Sequence, residues 1–251
     1  MNKVDIVIPV LNEEHSLPRC IENLQSRIDQ DLKDYDCSIV VADNGSTDRT
    51  LQVANSLREH NPSMQLIHLD VRGRGLALKT AWTASEADIL AYMDVDLSTD
   101  LGTLRPLLDA IAIERFDIAI GTRLAVGAHT TRSMKREFVS RAYNKLIRMS
   151  MGTSFTDAQC GFKAVSRYTA RKLVPTVVNN HWFFDTELLV IGEKNGFSIK
   201  ELPVTWYEDP DSRVRIAKTA VEDIKGLARL KVRGVPRISP PLISRDESPT
   251  E

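Results

Sequence analysis

No stretch of this 251-residue chain approaches the roughly 18 consecutive apolar residues that cross a bilayer. Any contact with a membrane is therefore expected at its surface. Cysteine is scarce: Cys20, Cys37 and Cys160 lie far apart, in an odd number and without the paired spacing of a zinc site or a disulfide framework. That usage fits a reducing, cytoplasmic setting. The opening residues Met1-Asn2-Lys3-Val4-Asp5 run almost directly into a strand, so no signal peptide is expected. An excess of charge is missing too: Lys and Arg total 33 against 34 Asp and Glu, a net charge of −1. No global basic field draws in a nucleic-acid backbone, which argues against a nucleic-acid partner. The five histidines, His15, His60, His68, His129 and His181, show no metal spacing. What remains is an ordinary globular composition, 42% apolar and 27% charged, in a chain long enough for a substantial core.

The strongest positive signal is Ile89-Leu90-Ala91-Tyr92-Met93-Asp94-Val95-Asp96. An apolar run bounded by polar residues reads as a buried strand, and here it leads into two carboxylates one residue apart. Ligands of open α/β sheets bind where strands end. Side chains alternate along a strand, so Asp94 and Asp96 point the same way if the strand continues. Two hard oxygen donors side by side suit Mg²⁺ or Mn²⁺ carrying a phosphate; the alternative is a solvated loop.

Further strands are expected at 4–10, 37–42, 64–69 and 116–121, separated by helical patterns. Ser16 is placed to cap the first helix, with Pro18 in its first turn and Leu17, Ile21, Leu24 and Ile28 on its inward face. Leu51, Val53, Ala54 and Leu57 mark the second, 73–84 holds a loop and helix, and Leu101, Leu104, Leu107, Leu108 and Ile111 mark the next. Alternation of this kind means βαβ units and a mostly parallel sheet. Right-handed crossovers then line the strand-end loops along one edge.

Two of those loops carry chemistry. In Asp43-Asn44-Gly45-Ser46-Thr47-Asp48, Gly45 permits a tight turn, Ser46 or Thr47 can cap the next helix, and Asp43 projects towards the same crevice as Asp94. A carboxylate there accepts hydrogen bonds from a base or ribose, unless the segment is turn and cap chemistry alone. Arg72-Gly73-Arg74-Gly75 brings backbone and two guanidiniums to the end of the third strand, which suits a diphosphate. It is neither the Rossmann fingerprint nor a P-loop, and a flexible hairpin is the alternative.

Beyond residue 121 the pattern changes. Residues 133–151 form a basic amphipathic helix in which Lys135, Arg136, Arg141, Lys145 and Arg148 accompany Met134, Phe138, Val139, Tyr143, Leu146, Ile147 and Met151, with Gly152 as its stop. Such a helix either lies in a membrane interface or packs on the sheet with a solvated basic face. Trp182-Phe183-Phe184-Asp185-Thr186-Glu187 opens a further helix, its aromatics serving as core or as a sugar platform. A last strand is expected at 197–206, a Lys- and Arg-rich region at 214–230, and a disordered tail from 237 to 251.

Together, Ile8-Pro9-Val10-Leu11-Asn12-Glu13-Glu14, Asp43-Asn44-Gly45-Ser46-Thr47-Asp48, Arg72-Gly73-Arg74-Gly75 and Asp94-Val95-Asp96 resemble glycosyltransferase family 2, the inverting nucleotide-sugar transferases of the GT-A fold. Gly121-Thr122-Arg123, Asp157-Ala158-Gln159-Cys160-Gly161-Phe162-Lys163 and the Trp182 to Glu187 segment narrow the resemblance to polyprenyl-phosphate sugar transferases. Their wording is most similar to the dolichyl-phosphate β-glucosyltransferase branch. The resemblance implies one α/β domain over 1–236, with a nucleotide-sugar half at 1–121 and an acceptor half of helices at 122–236. It implies that Pro9, Leu11, Glu13, Asp43, Arg72 and Gly73 hold the nucleoside, joined on the donor side by Asn12, Asn44, Lys79, Val95 and Gln159. Asp94 and Asp96 flank the ribose and a diphosphate bound to Mg²⁺ or Mn²⁺, the metal resting on Asp96 with Asp94 and Ser98 as candidates beside it. The mannosyl branch has a metal-contacting Gln where this chain has Ser98.

An anionic phosphate acceptor is already a nucleophile, so the reaction asks for charge neutralisation more than for a strong base. Arg123 fits the acceptor phosphate, with Arg136 and Lys218. Arg213 and Arg215, with Lys218, are placed to clamp the diphosphate, a solvated basic face being the alternative. Asp157, Asp185 and Glu187 are expected at the sugar, although Asp185 also suits helix capping. Cys160 has no His beside it in sequence and is not read as a nucleophile. The expected activity is hexose transfer from UDP-glucose to a polyprenyl phosphate at the cytoplasmic membrane face. A GDP-mannose enzyme and an inert nucleotide-sugar-binding protein are the alternatives.

Overall fold

The computed structural model describes residues 1–131, 134–208 and 216–239, without the side chains at 135, 136 and 216–218. Arg213 and Arg215 therefore lie outside the described residues, as do the side chains of Arg136 and Lys218 and the chain from 240 on.

In chain order the elements are β1 (Asn2–Val10), α1 (Ser16–Asp31), β2 (Tyr35–Asn44), α2 (Thr50–His60), β3 (Gln65–Leu69), α3 (Arg74–Ala84), β4 (Ile89–Met93), α4 (Leu104–Ala112), β5 (Ile118–Thr122), β6 (His129–Thr131), α5 (Met134–Met151), β7 (Phe162–Ser166), α6 (Arg167–Leu173), α7 (Phe184–Lys194), β8 (Ile199–Pro203), β9 (Thr205–Tyr207) and α8 (Ile216–Arg233). Seven strands form one sheet in the order β3-β2-β1-β4-β7-β5-β8. β1 runs parallel to β2 and β4, β2 to β3, and β5 to β8, while β7 is antiparallel to both its neighbours. The sheet is thus mostly parallel, with helices on both faces.

Alternation along the central strands explains why they read as unbroken apolar runs. Val7, Leu90 and Tyr92 face one cluster, built with Leu78, Trp82, Phe184, Leu188 and Leu227 of α3, α7 and α8. Ile6, Ile8, Ile89, Ala91 and Met93 face the other, built with Leu17, Leu24, Ala54 and Leu107 of α1, α2 and α4. A strand buried on both faces has no polar side to show.

Four local expectations change. Ser16 opens α1 but does not cap it: His15 holds the cap position without a side-chain bond, and the Leu17 amide donates to the Glu13 carbonyl at 3.0 Å. α2 starts at Thr50, whose amide is taken by Asp48 Oδ1 at 2.9 Å, so Ser46 and Thr47 are released for another task. The short element after residue 161 is a full strand, β7, wedged between β4 and β5. The strand expected at 197–206 is two, β8 ending beside β5 at Pro203 and β9 beginning at Thr205. β9 leaves the main sheet to pair with β6. Of the tail expected from residue 237, only 237–239 lie among the described residues, and Asn195 bonds the chain there and just before it. Its Nδ2 donates to the Pro236 carbonyl at 2.8 Å and its Oδ1 accepts from the Ile238 amide at 2.7 Å.

Candidate active site

The connection direction reverses between β1 and β4, which opens a crevice beyond their C-terminal ends. Two asparagines stitch the loops around it. Asn44, at the end of β2, donates from Nδ2 to the Val10 carbonyl at 2.7 Å and accepts the Gly73 amide on Oδ1 at 3.2 Å. Asn12, in the left-handed region at φ 58, donates its amide to Ser46 Oγ at 2.9 Å and accepts the Thr47 amide at 2.7 Å. Glu13 donates its amide to Thr50 Oγ1 at 2.7 Å. Pro9 lies within buried β1 and Leu11 is half-buried just past it. Asp43 is fully buried; its Oδ1 accepts the Ser46 amide at 3.2 Å, and its Oδ2 faces Nδ1 of His68, its register partner on β3, at 2.7 Å. Arg72 is exposed at the mouth.

β4 stops at Met93, so the two acids do not share a direction by strand alternation. Leu97, at φ 57, turns the chain instead. Asp94 is held from both sides. Its amide donates to the Gly161 carbonyl at 3.1 Å, and its Oδ1 accepts Arg74 Nη2 at 2.7 Å. A Cβ on Gly161 would lie 1.7 Å from Asp94 Oδ2, so only glycine lets the 157–161 loop approach this carboxylate. Asp96 is exposed and accepts the Ser98 amide on Oδ1 at 2.9 Å. The Ser98 hydroxyl is buried without a partner, and Val95 is buried between the acids. Among the described residues no cage of three or more His, Cys, Asp or Glu side chains assembles. Two carboxylates reaching solvent beside an unsatisfied hydroxyl fit a hard divalent cation that takes most of its ligands from water and phosphate.

The second guanidinium of the Arg72 to Gly75 loop turns inward. Arg74 sits between the rings of Tyr92 and Trp182, 5.0 and 5.2 Å from their centroids, and bonds Asp185 Oδ2 through Nη1 at 2.6 Å as well as Asp94. Asp185 is buried and also takes Lys163 Nζ at 3.0 Å and the Tyr92 hydroxyl. Lys163, itself fully buried, reaches the Cys160 carbonyl at 2.5 Å and Tyr92 Oη at 3.1 Å. Burial alone pushes the Asp185 carboxyl up, but Lys163 and Arg74 outweigh it and hold the group below its ordinary value. Asp185 does not cap α7, where Phe183 occupies the cap without a side-chain bond. Phe183 and Phe184 are core, whereas Trp182 stays at the rim.

A second buried pair closes the other wall. Arg123 grips Asp157 with Nε and Nη2, at 2.7 and 2.8 Å, and with its amide at 3.1 Å, while its guanidinium lies 5.4 Å from the Trp206 ring centroid. Burial raises the fully buried Asp157, and the Arg123 ion pair overrides it to keep the carboxyl low. Gln159 donates its amide to Asp157 Oδ1 at 3.3 Å and its Nε2 to Asp223 at 2.9 Å. Glu187 is turned from the crevice to the Asn179 amide and to Arg229, both at 2.8 Å. Lys79 lies along α3 with its ammonium on the Val177 carbonyl at 3.2 Å. The Cys160 thiol is pushed up to about 12 by burial, which suits an inert core thiol.

Tyr92, Lys163, His68, Trp206 and Asp223 were given no site role from sequence. Lys163 was legible: a lysine between Phe162 and Ala164 in an apolar run must find an anion if the run is buried. His68 meets Asp43 only through the β2–β3 register, which sequence does not display.

The family model described as Glycosyl transferase family 2 matches residues 5–174. Glycosyltransferase AglD of Haloferax volcanii is 36% identical over 230 residues, 90% of this chain, although the chain spans only 36% of that protein's length. Dolichyl-phosphate beta-glucosyltransferases of Trichomonas vaginalis and Dictyostelium discoideum are 30% and 27% identical, over 88% and 92% of this chain and 72% and 74% of theirs. These relatives agree with the polyprenyl-phosphate subgroup that the loop motifs resemble. Among solved structures, glucosyl-3-phosphoglycerate synthase from Mycobacterium tuberculosis in complex with UDP superposes with a TM-score of 0.67 at 21% identity, covering 94% of this chain and 81% of that one. The same enzyme with Mn²⁺ and UDP-glucose gives 0.62 at 18% identity, covering 94% and 80%. At such identity the likeness speaks for fold alone, the α/β GT-A architecture. The family match covers most of the chain, and the chain belongs to glycosyl transferase family 2.

Proposed function

We propose that this glycosyltransferase moves glucose from UDP-glucose to a polyprenyl phosphate, with inversion at the anomeric carbon. The observation that carries the reading is the meeting of the Asp94 and Asp96 acids with the Arg123–Asp157 pair around one crevice, through the loop that contains Gln159. An oxygen of the acceptor phosphate attacks the anomeric carbon, and the bond from that carbon to the diphosphate oxygen breaks. The phosphate arrives ionised, so no buried base has to remove a proton. A divalent cation on Asp96, beside Asp94 and Ser98, would supply charge neutralisation to the departing diphosphate.

The remaining work falls to the chain itself. The Asn12 and Asn44 staples hold the loops that embrace the nucleoside, and Asp43, closed in between the Ser46 amide and His68, braces the loop after β2. Arg72 stands where a diphosphate leaves the crevice. Asp157 holds Nε and Nη2 of Arg123, which leaves Nη1 to donate to an acceptor phosphate. Asp185, by contrast, is an anchor for Arg74 and Lys163 rather than a group free to take a proton.

The lipid end of the acceptor needs a surface. Among the described residues no helix is long and apolar enough to cross a membrane. The apolar residues of α5 divide: Ile147 and Met151 turn into the core, whereas Met134, Phe138, Leu146 and Met149 face out, 90, 74, 44 and 76% exposed. Val221, Ile224 and Val232 of α8 are exposed as well. Apolar groups among cations on two helices suit peripheral contact with an anionic bilayer.

Competition between UDP-glucose and GDP-mannose at equal concentration, with divalent cation, polyprenyl phosphate and diphosphate release as the signal, tests the reading. Glucose transfer with release of UDP is expected. Preferential mannose transfer would move the protein to the sister branch, and release from no donor would make it a binding protein.

A further inference from the structure

Three helices converge behind the 157–161 loop, and at their meeting point is a carboxyl group that the proposed mechanism does not use. Asp223, in α8, is 2% exposed. Its Oδ2 accepts Gln159 Nε2 at 2.9 Å. The Tyr143 hydroxyl of α5 bears on the same carboxyl and also bonds Thr186 Oγ1 of α7 at 2.9 Å. Asp223 Oδ1 is buried with no hydrogen-bond partner.

Packing alone gives no reason for an acid here. A buried oxygen without a partner costs about 1–3 kcal/mol, and a leucine would fill the space without that penalty. Nor is α8 free to shift and relieve it. Arg229 is fixed to Glu187 at 2.8 Å, and Glu222 receives Asn179 Nδ2 at 3.0 Å. A Cβ on Gly226 would meet the Phe183 ring at 2.3 Å, so the helix is pressed against α7 one turn on. What Asp223 does hold is Gln159, in the loop that carries Asp157 at one end and Gly161, against Asp94, at the other.

A carboxamide has a donor end and an acceptor end, and a neighbour that claims one end decides what the other offers. We propose that Asp223 is a positioning residue for Gln159: by holding Nε2 it turns Oε1 to the crevice, as an acceptor for a hydroxyl of the donor sugar. This inference rests on the nucleotide-sugar reading above and deepens it, because it assigns the sugar contact to Gln159 and the aim of that contact to α8.

The charge state of Asp223 supports the geometry. Burial pushes its carboxyl up to about 7, helped by Glu222 on its own helix and Asp185 on α7, and opposed by the Gln159 hydrogen bond and the neighbouring Tyr143 hydroxyl. Ionised, the group accepts from Nε2. Protonated, it donates to Oε1 instead, and the carboxamide turns its amide end to the crevice. Sugar affinity should therefore be higher at pH 8 than at pH 6.

The test compares binding of UDP-glucose with binding of UDP, both with Mn²⁺, in the wild type, Asp223→Leu, Gln159→Leu and the double variant. Asp223→Leu and Gln159→Leu are each expected to weaken the nucleotide sugar about tenfold, the scale of one or two hydrogen bonds, while UDP binding stays within about twofold. The double variant should lose no more than Gln159→Leu alone, because Asp223 acts through Gln159. Losses that multiply, or UDP binding that falls in step, would overturn the inference. Asp223→Asn keeps an acceptor for Nε2 without ionising, so it guards against a Leu variant that does not fold. It should keep the selectivity for nucleotide sugar over UDP and flatten its change between pH 6 and 8. An Asn variant whose ratio still changes with pH like the wild type's would also overturn the assignment. If the wild type binds UDP but not UDP-glucose, and binds another nucleotide sugar, the donor reading fails and the same series is read with that donor. If it binds no nucleotide sugar at all, both readings fall together.

Discussion

The two walls of the crevice are built on different principles. On the side proposed for the nucleotide, the ends of β1, β2 and β3 are joined by neutral amides, with Asn12 and Asn44 bridging from loop to loop. Apart from Asp43, the charged groups there, Arg72 and Asp96, reach solvent. On the side proposed for the acceptor the charges are largely buried and answer one another: Arg74 and Lys163 on Asp185, Arg123 on Asp157. Neutral staples fix a shape, while the exposed ions stay within reach of a charged ligand. Buried ion pairs do the reverse: they make the wall stiff and each partner indispensable to the other. Removal of one member leaves an uncompensated charge in low dielectric. The contrast predicts that charge deletions cost stability on one wall and activity on the other.

The largest effect should follow Lys163→Met. The ammonium is fully buried between Asp185, Tyr92 and the Cys160 carbonyl, and its loss leaves Asp185 with half its countercharge. A destabilisation of about 3–5 kcal/mol is expected by urea unfolding. Arg72→Ala, on the other wall, should leave the unfolding midpoint unchanged. Equal shifts for the two variants would erase the distinction between the walls.

Asp96→Ala probes the exposed acid. Its exposed side chain lies at the mouth of the crevice and takes the Ser98 amide, so activity should suffer far more than stability. Turnover should fall about 100-fold or more, roughly 3 kcal/mol of barrier, as a contact on the departing diphosphate is lost. Full activity of this variant in excess EDTA would refute both the metal and the role of the acid.

Asn44→Ala tests the neutral staples. It strands the Val10 carbonyl and the Gly73 amide together, with an expected cost of about 1–3 kcal/mol. Because those groups sit in the nucleotide loops, nucleoside-diphosphate affinity should fall along with stability. A variant that loses stability while binding UDP normally would show that the staple serves the fold alone.

The nucleotide wall was the more legible of the two in sequence, for the same reason that it is built differently. Its loops are local: Asp43 to Asp48, Arg72 to Gly75 and Asp94 to Asp96 each follow one apolar run, and alternation of strand and helix places all of them on one edge. The acceptor wall depends on meetings across the chain, such as Arg74 with Asp185, 111 residues apart, or Gln159 with Asp223, 64 apart. No spacing rule reports these. The inward turn of Arg74 was missed because its neighbour Arg72 has the same side chain and only the fold separates them. The insertion of β7 between β4 and β5 was hidden for a related reason: Phe162 to Ser166 is an apolar run like the others, and nothing local says that it runs backwards.

The smallest effect concerns the outer skin of the acceptor wall, where α5 and α8 turn apolar side chains to solvent. If that face meets a bilayer, its apolar and charged members should respond to different variables. Phe138 and Met149 contribute buried area on contact, which salt does not weaken. Lys145 and Arg148, both exposed, contribute about 1 kcal/mol each near an anionic leaflet and are screened by salt. Arg141 should contribute less, since it is already paired with Glu137 at 2.7 Å one turn away. Co-sedimentation with anionic vesicles at low and high salt separates these terms. Phe138→Ser with Met149→Ser should reduce binding at both salt concentrations. Lys145→Gln with Arg148→Gln should reduce it at low salt by about thirtyfold, and leave the weaker high-salt binding where it was. Binding that is absent at low salt, or indifferent to both pairs of substitutions, would return α5 to the role of a helix packed on the sheet with a solvated face.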